Sequence, residues 1–354
     1  MRKRNFVNAG GPVDSTDDFS PPEAFLEKLR LCRAPLIIAH IYPDGDALGS
    51  AVAMHHGLTA LGATPRTLLT HRPPETVGFI DPDGVAEVLD GEPDAGHQDA
   101  FRAADTVIVL DTSEKERLGR LLPLIDTTAL EVIGIDHHLG GDAAFFDELW
   151  CVPGSPSTGN LVLRALEALE VEITDRIALP LFVAVATDTG WFRFSNSSQE
   201  AYSCASKLVA RGVDPEAVHR AIFESASPAR TRLLGRLLAD LRSEEGGKIV
   251  FGISRMADRV LFDVEMEEMD GFVDALGQVG EAEIVFLVVE LSPGRYKVSL
   301  RSKGQISIHP VAARFGGGGH AKAAGCRLEG SEEEILESLV EATREQLAAS
   351  DPSS

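Results

Sequence analysis

The chain has 354 residues, 44% of them hydrophobic and 25% charged, a composition that indicates a folded, water-soluble protein long enough for two domains. The net charge of −22 argues against a protein that coats long nucleic acid, because neutralising phosphates requires a basic surface. The most apolar run, residues 178–186, is too short to cross a membrane, and no secretory signal follows the basic start. The four cysteines include no C-x-x-C pair, which favours reduced thiols and a cytoplasmic location.

The first ligand-type side chains follow a short buried strand predicted at residues 35–39. Apolar residues then recur at helical spacing over residues 46–61, which predicts a helix there. His40, Asp44 and Asp46 therefore lie on a tight strand-to-helix turn, where they could hold a metal ion. A PDGD sequence is more often a simple turn. When this segment is considered by itself, that alternative stays open.

Two further strands predicted along the chain end in the same way. The strand at residues 106–110 is followed by Asp111, which alone would be typical of a helix N-cap. The strand at residues 131–135 is followed by three such residues: Asp136, His137 and His138. In an open parallel sheet, side chains just past the carboxyl ends of strands point into the crevice where ligands bind. A polar turn is the alternative for the second segment.

The fourth segment is an apolar helix that carries Asp188 near its end. A carboxylate in so apolar a segment is costly to bury unless it is paired or metal-bound, which favours metal binding. Between these segments, residues 155–159 begin a helix whose hydroxyl and N–H groups could face an anion. Together the four segments supply five aspartates, up to three histidines and no thiolate, a set that suits Mn²⁺ or Mg²⁺. The number of ligands suits two ions with a bridging carboxylate, as in phosphoryl displacement.

The order of the predicted elements indicates an α/β fold with a doubly wound, mainly parallel sheet, followed by a smaller α/β domain with a mixed sheet. Beyond residue 197 the pattern predicts these elements: helices over 197–243, strands at 249–253, 283–291 and 296–301, and helices at about 265–276 and 331–347. The domain organisation that we predict is a flexible tail (1–20), a first domain (21–215), a helical linker (216–245), a second domain (246–348) and a tail (349–354).

The second domain contains a basic stretch in an acidic chain. Between Arg295 and Arg327 there are seven Lys or Arg residues and no Asp or Glu. Four consecutive glycines within it, residues 316–319, let a backbone approach a ligand closely and present N–H groups to an anion. A hinge is the alternative for the glycines, and a solvated strand face is the alternative for the basic stretch.

The four ligand-bearing segments resemble, in order and with similar spacing, the motifs of the DHH phosphoesterase superfamily. The matching residues are His40-x-x-x-Asp44-x-Asp46, Asp111, Asp136-His137-His138 and Asp188. The sequence GGGGHAKAAGC at residues 316–326 resembles the glycine-rich signature of the DHH-associated domain. The resemblance covers residues 30–345, and the most similar subgroup is the stand-alone bacterial enzymes of the oligoribonuclease and 3′-phosphoadenosine-5′-phosphate (PAP) phosphatase type.

The resemblance implies two Mn²⁺ ions, with Mg²⁺ or Co²⁺ as alternatives. One ion would be held by three residues: His40, Asp44 and Asp111. The other would be held by four: Asp46, Asp111, His137 and Asp188. Asp111 would bridge the ions, and water activated by both would be the nucleophile. His138 would lie beside the scissile phosphate, and Asp136 would support the histidines.

The resemblance also implies a substrate-binding role for the second domain, which would deliver the terminal phosphodiester across a cleft between the domains. The residues that carry this expectation are Arg301, Ser302, Gly317, Gly318, Gly319 and His320.

The implied activity is hydrolysis of short oligoribonucleotides and of PAP to mononucleotides. The alternatives are hydrolysis of linear or cyclic dinucleotides such as pApA and c-di-AMP, a DHH-type pyrophosphatase, and a nucleotide-binding regulator without turnover. The GGGGH sequence counts against the pyrophosphatase, and the intact ligand positions count against the regulator. Neither long duplex nucleic acid nor a membrane is an expected partner, and whether the chain forms a homodimer stays open.

Overall fold

The structure is a computed structural model that describes residues 19–350 except Asp90, Leu139, Asp270 and His320. Most of both predicted tails (1–20 and 349–354) and the predicted substrate-binding residue His320 lie outside the described residues. The chain divides into two compact units between Ser225 and Ala226, and each unit is built around its own sheet.

The sheet of the first unit has six strands, all paired in parallel. The strands are β1 (Pro35–Ala39), β2 (Arg66–Leu69), β3 (Ala86–Val88), β4 (Thr106–Leu110), β5 (Glu131–Asp136) and β6 (Glu148–Cys151). Their order is β3-β2-β1-β4-β5-β6, which confirms the predicted doubly wound parallel sheet. The order reverses between β1 and β4, and this switch point is where open α/β sheets bind ligands.

Helices cover both faces of this sheet. The helices of the unit are α1 (Glu23–Leu31), α2 (Gly45–Ala60), α3 (Ala95–Ala103), α4 (Thr158–Ala168), α5 (Asp175–Asp188), α6 (Gln199–Val209) and α7 (Pro215–Phe223). Alternate strand residues enter different cores: Ile37 and Ile108 pack in one, and Leu36 and Val107 pack in the other. Burial on both faces explains why the strands are continuous apolar runs in the sequence.

The sheet of the second unit is mixed, as predicted. Its strands are β7 (Arg242–Glu244), β8 (Ile249–Ser254), β9 (Ile284–Ser292), β10 (Arg295–Ser302), β11 (Gly318–Gly319) and β12 (Ala323–Glu329), in the order β11-β12-β10-β9-β8-β7. β8 pairs with β9 in parallel, and the other pairings are antiparallel. Its helices are α8 (Pro228–Ala239), α9 (Met256–Phe262), α10 (Phe272–Leu276), α11 (His309–Arg314) and α12 (Glu332–Ala349).

The single helix predicted at about 265–276 is wrong. α9 ends at residue 262, where Asp263 adopts a left-handed backbone conformation with φ of 56°. Gly271, with φ of 80°, precedes the short α10. Within the predicted range the α-helix is confined to α10, and the left-handed Gly271 before it is an interruption that apolar spacing alone does not predict.

The predicted helical linker, residues 216–245, spans the division between the units. Leu233 and Leu237 of α8 are buried in a core of the second unit together with Val250 and Leu276. Among the described residues, no helix combines the length and the apolar character that a membrane span requires.

Candidate metal centre

Three strands of the first sheet end level at its switch point. The pairing of Ala39 with Leu110, and of Leu110 with Ile135, aligns the carboxyl ends of β1, β4 and β5. The residues that come next along these strands are His40, Asp111 and Asp136. All three are buried, so the parallel register brings three separate segments to one buried row of ligand-type side chains.

Two more carboxylates lie at the start of α2. Asp44 is the N-cap, and its Oδ1 accepts hydrogen bonds from the backbone N–H groups of Asp46 and Ala47 at 3.0 and 3.1 Å. Asp46, in the first turn, is only 1% exposed. Its Oδ2 and Oδ1 accept from the N–H groups of Thr158 and Gly159, both at 2.8 Å. The first turn of α4 therefore fixes the Asp46 carboxylate.

The first turn of α4 does face an anion, as its sequence predicts, and this anion belongs to the protein. Besides the two N–H groups that bind Asp46, the Thr158 hydroxyl donates to Asp111 Oδ1 at 2.8 Å. The predicted anion-binding role of residues 155–159 is thus fulfilled by two carboxylates of the site.

Asp188 reaches the same place from α5, of which it is the last residue. Its Oδ2 accepts a hydrogen bond from Asn196 Nδ2 at 3.0 Å, and the same amide donates to the carbonyl of Pro156 at 3.0 Å. Asn196 therefore ties the end of α5 to the segment that precedes α4. Neither Thr158 nor Asn196 is a typical metal ligand. The anion-facing hydroxyls predicted at residues 155–159 include that of Thr158, whereas no sequence pattern indicates the contact of Asn196 with Asp188.

The imidazole of His137 lies among three of these carboxylates. Its Nε2 is 3.7 Å from Asp46 Oδ2, 3.6 Å from Asp111 Oδ1 and 3.7 Å from Asp188 Oδ2. Ligand atoms within 4.8 Å of one another form three groups: His40–Asp44–Asp111, Asp46–His137–Asp188 and Asp111–His137–His138. The structure thus brings all the predicted metal ligands together, in groups that share Asp111 and His137.

The histidine rings are oriented in a way that would allow metal binding. The Nδ1 atoms of His40 and His137 lie 2.7 and 3.2 Å from the carbonyl oxygens of Ile41 and Ser155. A carbonyl oxygen only accepts, so each Nδ1 donates, and in the neutral form of either ring the lone pair is on Nε2. His40 Nε2 faces Asp111 Oδ2 at 3.2 Å, and His137 Nε2 is buried with no hydrogen-bond partner among the described residues. A proton on Nε2 or a metal cation would each place a positive charge between the imidazole and the carboxylates, and the donor set of imidazole and carboxylate fits Mn²⁺ or Mg²⁺.

Burial and mutual repulsion shift the pKa values of the carboxylates. Burial raises the pKa of Asp46 to about 7, and Asp188 and Asp44 act in the same direction while His137 opposes them. Burial also raises the pKa of Asp111 and of Asp188. The pKa of His137 is raised, because the three surrounding carboxylates together outweigh its burial. These shifts are those expected where burial and mutual repulsion act on several carboxylates in one pocket.

Asp136 and His138 form a pair beside the cluster. Asp136 Oδ1 lies 2.8 Å from His138 Nδ1 and accepts the N–H groups of His137 and His138 at 2.8 and 3.1 Å. Burial alone would raise the pKa of Asp136, but hydrogen bonding to His138 lowers it to about 2. The bond from Asp136 in turn raises the pKa of His138, whose side chain is 31% exposed. Asp136 therefore stays ionised and fixes the orientation of His138.

The alternative for Asp111, a helix N-cap, is wrong. The next helical turn begins at Lys115 with Glu114 in the N-cap position. Asp111 itself has φ of 64° and directs its two carboxylate oxygens to Thr158 and His40. A left-handed residue at the end of β4 turns the side chain into the cluster.

A groove of about 550 Å³ in the second unit is lined by four of the predicted substrate-binding residues: Arg301, Gly317, Gly318 and Gly319. Lys297 and Arg301 project from one face of β10, residues 316–319 form one wall, and Arg327 of β12 lies opposite Lys297. Arg301 Nε also donates to Asp274 Oδ1 at 3.1 Å. Ser302 does not line the groove, because its hydroxyl donates to the carbonyl of Ile306 at 2.7 Å.

The glycines of the groove differ in what they require. A Cβ on Gly317 would lie 2.1 Å from the carbonyl oxygen of Gly325, and one on Gly319, with φ of 133°, would lie 2.6 Å from that of Ala323. A Cβ on Gly318 would meet no atom within 4 Å. Gly317 and Gly319 are therefore needed for the pairing of β11 with β12, whereas Gly318 leaves space in the groove.

Comparison with known proteins follows the same division of the chain. The family model described as DHH family, N-terminal domain, matches residues 35–185, and that of the DHHA1 domain matches residues 252–349. The chain is 32% identical to the bifunctional oligoribonuclease and PAP phosphatase NrnA of Thermus thermophilus over 344 residues, which cover 94% of this chain and 98% of the relative. It is 26% identical to the probable bifunctional oligoribonuclease and PAP phosphatase NrnA of Streptococcus mutans, covering 86% of this chain and 92% of the relative.

A solved structure shares the fold. An exopolyphosphatase-related protein from Bacteroides fragilis superimposes with a TM-score of 0.86 and 24% identity, covering 91% of this chain and 95% of the other. This likeness concerns the fold alone.

Proposed function

The chain belongs to the DHH family and carries a DHHA1 domain, and on that premise we propose that it is a metal-dependent phosphoesterase that hydrolyses short oligoribonucleotides and PAP to mononucleotides. The observation that carries the proposal is His137 Nε2, which is buried without a hydrogen-bond partner among the described residues and surrounded by three carboxylates. The similarity to the two relatives named for both activities, over nearly the full chain, supports the substrate class.

The metal centre that we propose holds two ions, preferably Mn²⁺. His40, Asp44 and Asp111 would hold one, and the other would be held by a set that shares Asp111: Asp46, Asp111, His137 and Asp188. When bound, a pair of divalent ions supplies Lewis-acid stabilisation of phosphoryl charge and makes water a nucleophile at neutral pH.

The remaining chemistry is assigned to His138 and Asp136. Asp136 accepts the Nδ1 hydrogen of His138, so the proton that the imidazolium would transfer is the one on Nε2. Because the pKa of His138 is raised, the imidazolium is populated near neutrality and can donate a proton to the leaving oxygen. Asp136 stabilises the positive charge of His138 before the transfer, and its own low pKa keeps it from taking that proton.

The second unit is assigned to nucleotide binding. The groove is lined by three basic residues, Lys297, Arg301 and Arg327. Its backbone is exposed at the paired glycines Gly318 and Gly325, which have no side chains. Positive side chains over an exposed backbone suit a phosphate or sugar of the substrate. Linear dinucleotides such as pApA present the same terminal phosphodiester as short RNA and belong to the same substrate class.

The experiment that tests the proposed function is a substrate panel with purified protein. kcat/KM would be measured with Mn²⁺ on di- to pentaribonucleotides, PAP, pApA, c-di-AMP and pyrophosphate. We expect turnover of the short oligonucleotides and PAP, and loss of turnover in excess chelator. Turnover of pyrophosphate alone, or full activity after confirmed metal removal, would contradict the proposal.

The matched variant for this panel is Asp111→Asn. Asparagine adopts the left-handed conformation at φ of 64° as readily as aspartate and can still accept the Thr158 hydrogen bond. The fold should therefore persist, while loss of the bridging charge should lower kcat more than about 100-fold. Near-normal turnover in a folded Asn variant would remove Asp111 from the centre.

A further inference from the structure

Tyr42 is an exposed aromatic residue in a backbone conformation that tyrosine rarely adopts. Its φ is 54°, and 71% of its surface is exposed. Non-glycine residues in the left-handed region are usually Asn or Asp, because the Cβ of a bulky residue approaches the backbone carbonyl. Tyr42 occupies the turn between His40 and Asp44, two of the proposed metal ligands.

The ring of Tyr42 stacks on the imidazole of His71. The ring centroids are 4.1 Å apart, and the planes differ by 28°. His71 follows β2, the strand that pairs with β1, and the loop is held by a hydrogen bond from the Arg120 guanidinium to the carbonyl of Thr70. Burial and then the charge of Arg120 lower the pKa of His71, which keeps the imidazole neutral. The pair is thus an uncharged stack at the ligand-binding edge of the sheet.

Stability does not account for a tyrosine at this position. The strain of the left-handed backbone is of the same size as the gain from one aromatic pair, so the two nearly cancel. The remaining ring surface faces solvent and buries no core. An asparagine would adopt this backbone with less strain. A residue in an unfavourable backbone conformation that adds no stability is typical of functional sites.

The position of the stack relates it to the proposed substrate. The ligand atoms of His40, Asp44 and Asp111 lie within 4.8 Å of one another, and Tyr42 belongs to the same turn. A nucleotide whose phosphate binds at this group would carry its base about one ribose away, which is the distance range of a residue in the same turn. We propose that Tyr42, backed by His71, is a stacking platform for a nucleobase adjacent to the reacting phosphate. The inference rests on the proposed function and adds a base-binding site in the first unit.

Stacking on an aromatic face tolerates every base, because every base has a π-face. The platform would therefore add affinity for nucleosides without selecting a sequence, as suits an enzyme of short RNA fragments. It also distinguishes nucleotides from phosphate esters without a base.

The test compares a 5′-phosphorylated adenylyl dinucleotide with two analogues in which one position or the other carries an abasic ribose. The wild-type protein should prefer the full dinucleotide over one analogue by about 5- to 100-fold in kcat/KM. In Tyr42→Ala and Tyr42→Asn this preference should fall to near unity, mainly through KM, and in Tyr42→Phe it should persist. Tyr42→Asn should leave the Tm nearly unchanged, because relief of the left-handed strain offsets the loss of the aromatic pair.

The outcomes separate the platform from the proposed function. If the preference for the full dinucleotide survives in Tyr42→Asn, Tyr42 does not contact a base. If kcat/KM falls equally on all three substrates, Tyr42 serves only the metal-binding turn. Either result overturns the proposed stacking platform and leaves the proposed function intact. A wild-type protein that hydrolyses none of the three substrates contradicts the proposed function before any variant is compared.

Discussion

At the scale of single residues, Thr158 holds the carboxylate that the two proposed metal positions share. Its hydroxyl donates to Asp111 Oδ1 at 2.8 Å, and its backbone N–H donates to Asp46 Oδ2 at the same distance. The side chain is fully buried. One residue therefore orients two ligands, through a hydroxyl that substitution can remove and an N–H that it cannot.

Thr158→Val should weaken Mn²⁺ binding about 10- to 100-fold, because hydrogen bonds to metal ligands contribute on this scale. Valine has nearly the same shape and keeps the N–H that binds Asp46, so the α4 turn should persist. The matched control is Thr158→Ser, which retains the hydroxyl. Calorimetric titration of Mn²⁺ into the metal-free proteins measures the difference, and equal affinities for the Val and Ser variants would contradict this role.

The raised pKa of Asp46 predicts how the stability of the metal-free protein depends on pH. This pKa is about 7 in the folded protein and about 3.9 in the unfolded chain. Between these values the folded state holds a proton that the unfolded state has released. The free energy of unfolding should therefore fall as the pH rises from about 4 to about 7, with a contribution from Asp46 of up to about 1.4 kcal/mol per unit. The raised pKa values of Asp111, Asp188, His137 and His138 act in the same direction.

Urea unfolding of the metal-free protein between about pH 5 and pH 8 tests this expectation. Asp136, with a pKa of about 2, loses its contribution only below about pH 4 and does not affect the window. In Mn²⁺-saturated protein the slope should be smaller, because a bound cation favours the ionised carboxylate. A metal-free protein that gains stability with rising pH in this window would refute the assignment.

At the scale of elements, the close approach of α2 and α5 brings Asp46 and Asp188 to the same imidazole. A Cβ on Gly49 of α2 would lie 2.3 Å from the carbonyl oxygen of Pro180 in α5. A Cβ on Gly45 would lie 2.5 Å from the Thr187 hydroxyl oxygen. The absence of side chains at these two positions lets the helix backbones nearly touch.

Gly49→Ala should separate the helices and destabilise the protein by about 1–3 kcal/mol, because the clash is with backbone. Gly57→Ala is the matched control in the same helix, where the atoms nearest to the new methyl belong to the Leu166 side chain and not to backbone. Its cost should be offset by the higher helix propensity of alanine, worth up to about 1 kcal/mol. Chemical unfolding of both variants, with Mn²⁺ affinity as a second measurement, decides the matter; similar losses in both would contradict the proposed helix contact.

The sequence predicts a helix or strand correctly where the hydrophobic pattern of that element is sufficient by itself. The strand at residues 106–110 is an apolar run buried on both faces, and α2 shows helical spacing, so both were identified with their adjoining ligands. The β11–β12 pairing was missed, since it depends on Gly318 and Gly325 lying opposite each other and has no periodicity. Contacts such as that between Thr158 and Asp111 join residues that only the complete sheet brings together, and no local pattern encodes them.

At the scale of the whole molecule, the negative net charge makes the basic groove of the second unit the expected anion site. The chain carries a net charge of −22, yet the groove is lined by Lys297, Arg301 and Arg327. Arg301 forms an ion pair with Asp274, and this carboxylate competes with any bound anion for the guanidinium.

Arg301→Ala should raise KM for PAP and dinucleotides about 10-fold or more, because a charge-assisted hydrogen bond is lost. Hydrolysis of bis-p-nitrophenyl phosphate, which has no nucleotide to bind, should change little. Asp274→Asn should act in the opposite direction by freeing the guanidinium. The control is Lys303→Ala, which removes the same charge nearby but outside the groove. Equal losses on both substrate types would place Arg301 in the reaction centre or the fold.

The parallel strand order has a consequence for how the protein is made. The residues of the His40–Asp44–Asp111 group have all been synthesised once the ribosome passes β4, whereas the Asp46–His137–Asp188 group waits for the end of α5. At typical rates of translation this interval is on the order of ten seconds. A nascent chain therefore carries one complete trio of ligands before the other exists. The ligands of the two proposed ion positions are therefore completed at different times during synthesis.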